Sequence, residues 1–199
     1  MLLYGASGHA KVIMDCLFSN QESVTAIFDD DKEKKHLMGI EILHYYSEIY
    51  LPNEEMIVSI GDNKTRRKIA DIIEHSYAQA IHKTAQISEY ASFGAGSVAF
   101  HNSVIQSGAH IGDHVIINTS ATVDHDCVVG NFVHIAPKAT LCGDVKVGEG
   151  TLIGAGATVL PGIKIGKWAV VGAGAVITKN IADFSVVVGN PGRVLKIMR

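Results

Sequence analysis

Counting in sixes from Ile81, the chain places an apolar residue at every stop. The stops run through Ile87, Phe93, Ala99, Ile105, Ile111, Ile117, Val123, Val129, Ile135, Leu141, Val147, Ile153, Val159, Ile165 and Val171 to Ile177, without one insertion. Four positions beyond most stops stands a small residue, as at Ala85, Ala91, Ser97, Ser103, Ala109, Ala121, Cys127, Ala139, Thr151, Ala157, Ala169 and Ala175. Many aliphatic stops are followed directly by glycine, in IGDH, VGNF, VGEG, IGAG, IGKW and VGAG. An amphipathic helix repeats at about 3.6 residues and a half-buried strand at about 2. A period of six belongs to a parallel β-helix of hexapeptides, in which each unit is a short strand and a corner. Three units close a triangular coil of about 18 residues. The aliphatic then points into the prism, the small residue fits beside it, and the glycine is expected to take backbone angles denied to other residues. Parallel crossovers are almost always right-handed, and hexapeptide repeats are the known exception, so a left-handed coil is expected.

Composition narrows the remaining choices. With 47% hydrophobic and 19% charged residues the chain can pack a core rather than stay disordered. A formal net charge of −3 and the absence of any long basic run argue against a nucleic-acid or membrane partner. No apolar stretch approaches the roughly 18 residues of a membrane span. The N-terminal MLLYGASGHAK lacks the features of a signal peptide. The three cysteines (Cys16, Cys127, Cys142) lack CxxC spacing, so neither disulfides nor a zinc knuckle is indicated, and a reducing cytoplasm fits.

Residues 1–78 precede the repeat and read as a second, smaller domain, with the β-helix occupying 79–199. Met1–Tyr4 reads as a strand, GASG as a turn, and Gly8–Asn20 as an amphipathic helix. Val24–Phe28 and Met56–Ile60 read as further strands, the second leading through Gly61-Asp62-Asn63 into a helix from Lys64 to His75. This alternation predicts a small Rossmann-like sheet. Amides at the first helix N-terminus would face an anion such as a pyrophosphate. Asp29 and Asp30, about 20 residues on, are placed to meet a ribose or base. Gly5-x-x-Gly8 is less than a full dinucleotide fingerprint, and a plain structural cap on the β-helix is the competing reading.

The repeat changes character, not length, at NTSATVDHDCVVGNFVHIAP. His125 falls on a corner between Asp124 and Asp126, where a carboxylate could fix its tautomer and raise its basicity for general-base work. Corner histidines among acids are more often only solvated turns, so spacing alone leaves both readings open. Residues 18 apart stack at about 4.8 Å. Gly143 therefore lies one coil above His125, and its amide is a candidate oxyanion donor. Pro137, Ala155 and Ala173 form a second column walled by Gly154, Gly156, Gly172 and Gly174, suited to an extended pantetheine arm and hence to coenzyme A. His134 falls half a coil from His125, so the two could share a site only across adjacent subunits, as in a threefold assembly.

YGASGHAKV, IFDDD, IGDNKTRRKIA, INTSATVDHDCVVGNFVHIAPKATLCGDV and VVVGNPGRV together resemble the NeuD/PglD family of hexapeptide-repeat sugar acetyltransferases, over nearly the whole chain. The resemblance implies acetyl-CoA as cosubstrate, a homotrimer with sites between subunits, and no metal. It implies His125 as the base and Asp126 as the acid tuning it, where many relatives carry glutamate. It further implies that His134, Ala155 and Ala173 contact acetyl-CoA. Ser7, Gly8, His9, Asp29, Asp30 and Asn63 would hold a nucleotide sugar, although the family often has GNN where this chain has Gly61-Asp62-Asn63. The implied reaction is N-acetylation of a nucleotide-linked 4-amino-4,6-dideoxy sugar, UDP-linked ahead of GDP-linked, with O-acetylation of sialic acid as the alternative.

Three rivals use other chemistry. Zinc could draw on His101, His110, His114, His125 and His134, as in γ-class carbonic anhydrases. Cys127, two residues from His125, could act as a nucleophile, although it occupies the inward small slot of the repeat. A non-catalytic scaffold is the third. The tail residues Arg193, Lys196 and Arg199 could meet phosphates of coenzyme A, or be plain solvated charge.

Overall fold

A computed structural model describes residues 1–198. The N-terminal domain contains β1 (Leu2–Tyr4), α1 (Gly8–Ser19), β2 (Ala26–Phe28), β3 (His36–Leu37), β4 (Ile40–Leu43), β5 (Met56–Val58) and α2 (Asn63–Ala70). Its sheet runs β3-β4-β2-β1-β5, parallel except for the β3–β4 hairpin. All residues of β1, β2 and β5 are buried, as expected of a parallel sheet covered on both faces. α1 presents Ala10, Ile13, Met14 and Leu17 to this sheet. α2 begins at an Asp62 cap, whose Oδ1 accepts from the Thr65 N–H at 2.8 Å. It ends at Ala70, five residues short of the expected His75.

From β6 (Ala80–Ile81) to β22 (Val176–Ile177) a two-residue strand recurs every six residues. Each pairs in parallel with the strand 18 residues away, as Val123 does with Leu141 and Leu141 with Val159. The result is a prism of three faces. The first holds Thr122–Val123, the second Val128–Val129 and the third His134–Ile135. The aliphatic stops and small residues of the sequence pattern form one continuous core inside it. An antiparallel hairpin, β23 (Ser185–Val188) and β24 (Arg193–Ile197), finishes the third face.

The structure corrects one expectation about glycine. The glycines that directly follow aliphatic stops do not take left-handed angles. A Cβ on Gly148 would lie 2.6 Å from the Gly166 carbonyl carbon, and one on Gly154 would lie 2.5 Å from the Val171 carbonyl oxygen. Close approach of successive coils requires glycine there. The left-handed slot lies two positions later and recurs every sixth residue from Gly96 to Gly174. It holds non-glycine residues at Asn102, His114, Ser120, Asp126, Phe132, Lys138, Asp144 and Trp168. Asparagine and aspartate tolerate this region better than most, whereas aromatic residues there are unusual.

The two domains share a core. Val98, Phe100 and Ile116, on or next to strands of the third face, pack in the same apolar cluster as α1 and β1. The N-terminal domain therefore covers the third face, opposite the corner joining the first two.

Candidate active site

His125 stands on the corner between the first and second faces, in the turn linking Thr122–Val123 to Val128–Val129. Its neighbours are fixed by the turn. Asp124 Oδ1 accepts from the His125 N–H at 2.8 Å, and His125 Nδ1 lies 2.8 Å from Asp126 Oδ2. With the proton on Nδ1, the ring donates to Asp126 and leaves Nε2 as a base. The hydrogen bond to Asp126, helped by the charge of Asp124, raises the His125 pKa above the ordinary histidine value. The ring is exposed, so it can meet a substrate.

Gly143 is buried directly above it. A Cβ at Gly143 would fall 2.5 Å from His125 Nε2, so only glycine leaves the imidazole room to lie across the corner. Among the described residues the Gly143 N–H has no backbone acceptor, whereas its carbonyl accepts from Gly162 at 3.0 Å. Asp124, His125, Cys142, Gly143, Asp144, Pro161 and Gly162 line an open cleft along this corner. The arrangement offers a base, its orienting carboxylate and a free amide within one coil spacing.

Cys127 points inward and is fully buried, and its thiol donates to the Cys142 carbonyl at 3.2 Å. Burial pushes its pKa up to about 11, the reverse of an activated nucleophile. The other corner and face histidines are dispersed. His110 meets Ser92, His101 stacks on His82, and His114 stacks on Phe132. Among the described residues no three of His, Cys, Asp and Glu are grouped to hold a metal.

His134 lies on the opposite side of the prism, under the N-terminal domain. Its Nε2 accepts from Asn118 Nδ2 at 3.0 Å, and its ring centroid is 6.5 Å from that of His9. Burial, with the nearby Arg66 charge, lowers its pKa to about 4. His9 packs on Phe100 at 5.3 Å, and among the described residues its buried Nε2 has no partner. Burial, then the charges of His134 and Arg66, lowers its pKa to about 3. Both rings are therefore neutral at pH 7. Ala155 and Ala173 sit exposed on the corner between the third and first faces, and among the described residues nothing lies within 4 Å of a Cβ at Gly156 or Gly174. This column is open along its length.

A further pocket lies at the end of the N-terminal sheet, lined among others by Tyr4, Ser7, Asp29, Asp30, Lys34 and Thr65. Ser7 makes no side-chain cap and the first turn of α1 carries no acid, so its amides are free to face an anion. A Cβ on Gly8 would meet nothing within 4 Å. Asp29 is occupied structurally, accepting from the Ala6 and Asp31 amides at 2.6 and 2.9 Å and from Lys34 Nζ at 2.9 Å. Burial alone would raise its pKa, but these donors hold it below the usual carboxylate value. Asp30 is exposed and accepts from the Tyr4 hydroxyl at 2.7 Å. Asn63 is buried in the seam between domains, where its Nδ2 donates to the Gly150 and Thr151 carbonyls. A narrow apolar pocket lined by Gly61, Lys64, His134, Leu152, Trp168 and Val170 opens beside it.

Sequence reasoning missed Arg66, Phe100 and Asn118. Asn63 and Arg66 are three apart on α2 and so share a helix face, and that spacing was a signal available in IGDNKTRRKIA. Arg193 and Lys196 lie exposed on β24, while Arg199 falls outside the described residues.

Residues 1–73 match the PglD N-terminal domain family, and residues 126–160 and 144–179 match the bacterial transferase hexapeptide family. The chain is 34% identical to PerB from Caulobacter crescentus, solved with CoA and GDP-perosamine, with a TM-score of 0.91 over 98% of this chain and 96% of that one. It is also 34% identical to the acetyltransferase domain of PglB from Neisseria gonorrhoeae, solved with acetyl coenzyme A, with a TM-score of 0.88 over 98% of both chains. This chain belongs to the NeuD/PglD family. WeeI from Acinetobacter baumannii is similar at 29% identity and a TM-score of 0.86. An uncharacterized protein of Acanthamoeba polyphaga mimivirus is 35% identical over 114 residues, and that match spans 23% of its length. As a NeuD/PglD family member the protein is an acetyl-CoA-dependent sugar acetyltransferase, with the α/β domain and left-handed β-helix expected from its sequence. No helix among the described residues is long and apolar enough to cross a membrane.

Proposed function

We propose that the protein transfers the acetyl group of acetyl-CoA to the amine of a nucleotide-linked 4-amino-4,6-dideoxy sugar, with UDP as the first nucleotide to test. The observation that carries this reading is the His125–Asp126 pair, 2.8 Å apart, with Gly143 one coil above it in an open cleft. The likeness to PerB, solved with GDP-perosamine, supports an aminosugar acceptor and makes GDP the second nucleotide.

The sugar amine attacks the thioester carbonyl while His125 Nε2 takes the proton from nitrogen. Asp126 holds the imidazolium that forms, and the Gly143 N–H donates to the oxyanion. Collapse breaks the carbon–sulfur bond, and the proton on His125 passes to the departing thiolate. The nucleotide would rest on the α1 amides, near Ser7, Gly8 and Asp30. His134, Ala155 and Ala173 would flank acetyl-CoA.

The N-terminal domain packs on the third face and His125 stands on the corner of the other two. This supports a site completed by a second copy that brings its His125 corner to the first copy's N-terminal domain; a closed threefold ring would satisfy every copy equally. Thiol release from acetyl-CoA across UDP- and GDP-linked 4-aminosugars, sialic acid and CMP-sialic acid tests the reading. Turnover of one 4-aminosugar far above the others is the expected result. Turnover of sialic acid alone would replace it with O-acetylation.

A further inference from the structure

Arg66 is 1% exposed, and among the described residues no carboxylate lies within salt-bridge distance of it. All five of its guanidinium hydrogens are used. Nε donates to the His114 carbonyl at 2.9 Å, Nη1 to those of Ile60 and Gly61 at 3.0 and 3.1 Å, and Nη2 to Asn63 Oδ1 and the Phe132 carbonyl at 2.8 and 2.9 Å. Asn63 continues the array, donating to Gly150 and Thr151 at 3.1 and 3.3 Å. His114, Phe132 and Gly150 occupy successive left-handed positions, 18 apart, on the corner between the second and third faces. Two side chains of one helix turn thus grip three consecutive coils.

Burying a charge without a counter-ion is expensive, and an apolar side chain would glue the domains more cheaply. A planar fork among fixed carbonyls instead provides direction, because moving the Gly61 turn breaks several bonds at once. The turn held this way separates the nucleotide pocket, which includes Ile60 and Thr65, from the pocket walled by Gly61 and His134. On the acceptor reading above, a sugar attached to a nucleotide in the first would lie next to this turn.

We propose that Arg66 is a positioning residue. Through the Gly61–Asn63 turn it fixes the aim of the nucleotide-sugar domain relative to the β-helix, and so the placement of the acceptor amine. This rests on the acceptor reading above. Misplacement of a reacting group by about 1 Å costs on the order of 10²-fold in rate.

The test uses the full chain with Arg66→Met, which keeps the stem, and Arg66→Lys, which keeps the charge. Nucleotide sugar and acetyl-CoA are held by separate surfaces, so titrated Kd values for both should stay within about threefold while kcat falls on the order of 10²-fold. A kcat per folded molecule that holds, or a loss carried by either Kd, would overturn the proposal. Should Arg66→Met fail to fold, Arg66→Lys, which keeps the charge but cannot span all five acceptors, is read the same way. Amide exchange over Ile60–Lys64 needs no turnover and must quicken in every folded variant; unchanged exchange also overturns it. An unaltered chain inactive on all sugars would count against the acceptor reading alone, leaving the exchange result to decide this one.

Discussion

The molecule uses histidine in two opposite ways. On the corner between the first two faces, His125 is exposed, paired with Asp126, and raised in pKa. At the seam between the domains, His9, His114 and His134 are lowered to about 3, 4 and 4, chiefly by burial. The same side chain is kept ready to take a proton in one region and kept neutral in the other. What differs is water and the sign of the nearest charge, since His125 faces carboxylates and the seam rings face Arg66. On the reading proposed above, chemistry belongs to the corner and alignment to the seam.

Substitutions can break this division, and the largest effect belongs to the corner. His125→Ala should lower kcat by about 10²–10⁴-fold, the range for loss of a general base, with little change in melting temperature. A loss under threefold in steady-state assays would remove His125 from the mechanism. Gly143→Ala places a methyl 2.5 Å from His125 Nε2, and should cost on the order of 10²-fold in kcat by pushing the ring away from the oxyanion amide. Near-normal turnover in that variant would show the oxyanion held elsewhere.

Asp126→Asn keeps a residue that tolerates the left-handed angle of 58° but removes the charge. The acidic limb of the kcat/KM profile follows His125 losing its proton as pH rises. With the carboxylate gone, the His125 pKa falls and that limb should move to lower pH, together with a smaller kcat. A limb that stays in place would detach it from this pair.

The smallest effect separates the two kinds of histidine by stability. The seam rings are neutral in the fold, and the unfolded chain gains protons once pH drops below about 6.5. Their contribution is therefore complete above about pH 6.5, is lost progressively towards about pH 4, and vanishes below the folded values. His125 acts with the opposite sign, its contribution present at low pH and lost as pH rises through its raised value. Because three rings oppose one, melting should occur at least ~5 °C lower at pH 5 than at pH 7. His114→Asn, which suits the left-handed slot, should shrink that difference; an equal fall in the variant would place the acid sensitivity elsewhere.

Much of this was legible beforehand because the period is unbroken. The count from Ile81 to Ile177 located one inward residue per strand, although Val115, Val133 and Val145 also fill the slot expected to be small. The spacing of 18 placed Gly143 over His125. The left-handed slot was not legible, because His114, Phe132 and Trp168 look like ordinary surface residues there, while the glycines directly after the aliphatic stops answer to close packing instead. In the N-terminal domain the β3–β4 hairpin escaped notice, its strands being only two and four residues long and mixed in polarity. α2 stops at Ala70, and beyond it Ile73 joins the core beneath the sheet while Ile72 stays exposed. The roles of Asn63 and Arg66 depend on carbonyls some 50 to 90 residues away, which no local pattern encodes.

The six-residue rhythm also gives the β-helix something like a reading frame. Substituting a corner residue edits one word, which is why His125 could be installed on an otherwise ordinary turn. Deleting a single residue near Ala99 would shift the text from there to Ile177, sending core aliphatics outward and swapping the close-packing glycines for bulky neighbours. Length changes in this half should be tolerated only as bulges thrown out at a corner or as whole coils of 18, whereas single replacements on the corners are read without disturbing anything downstream.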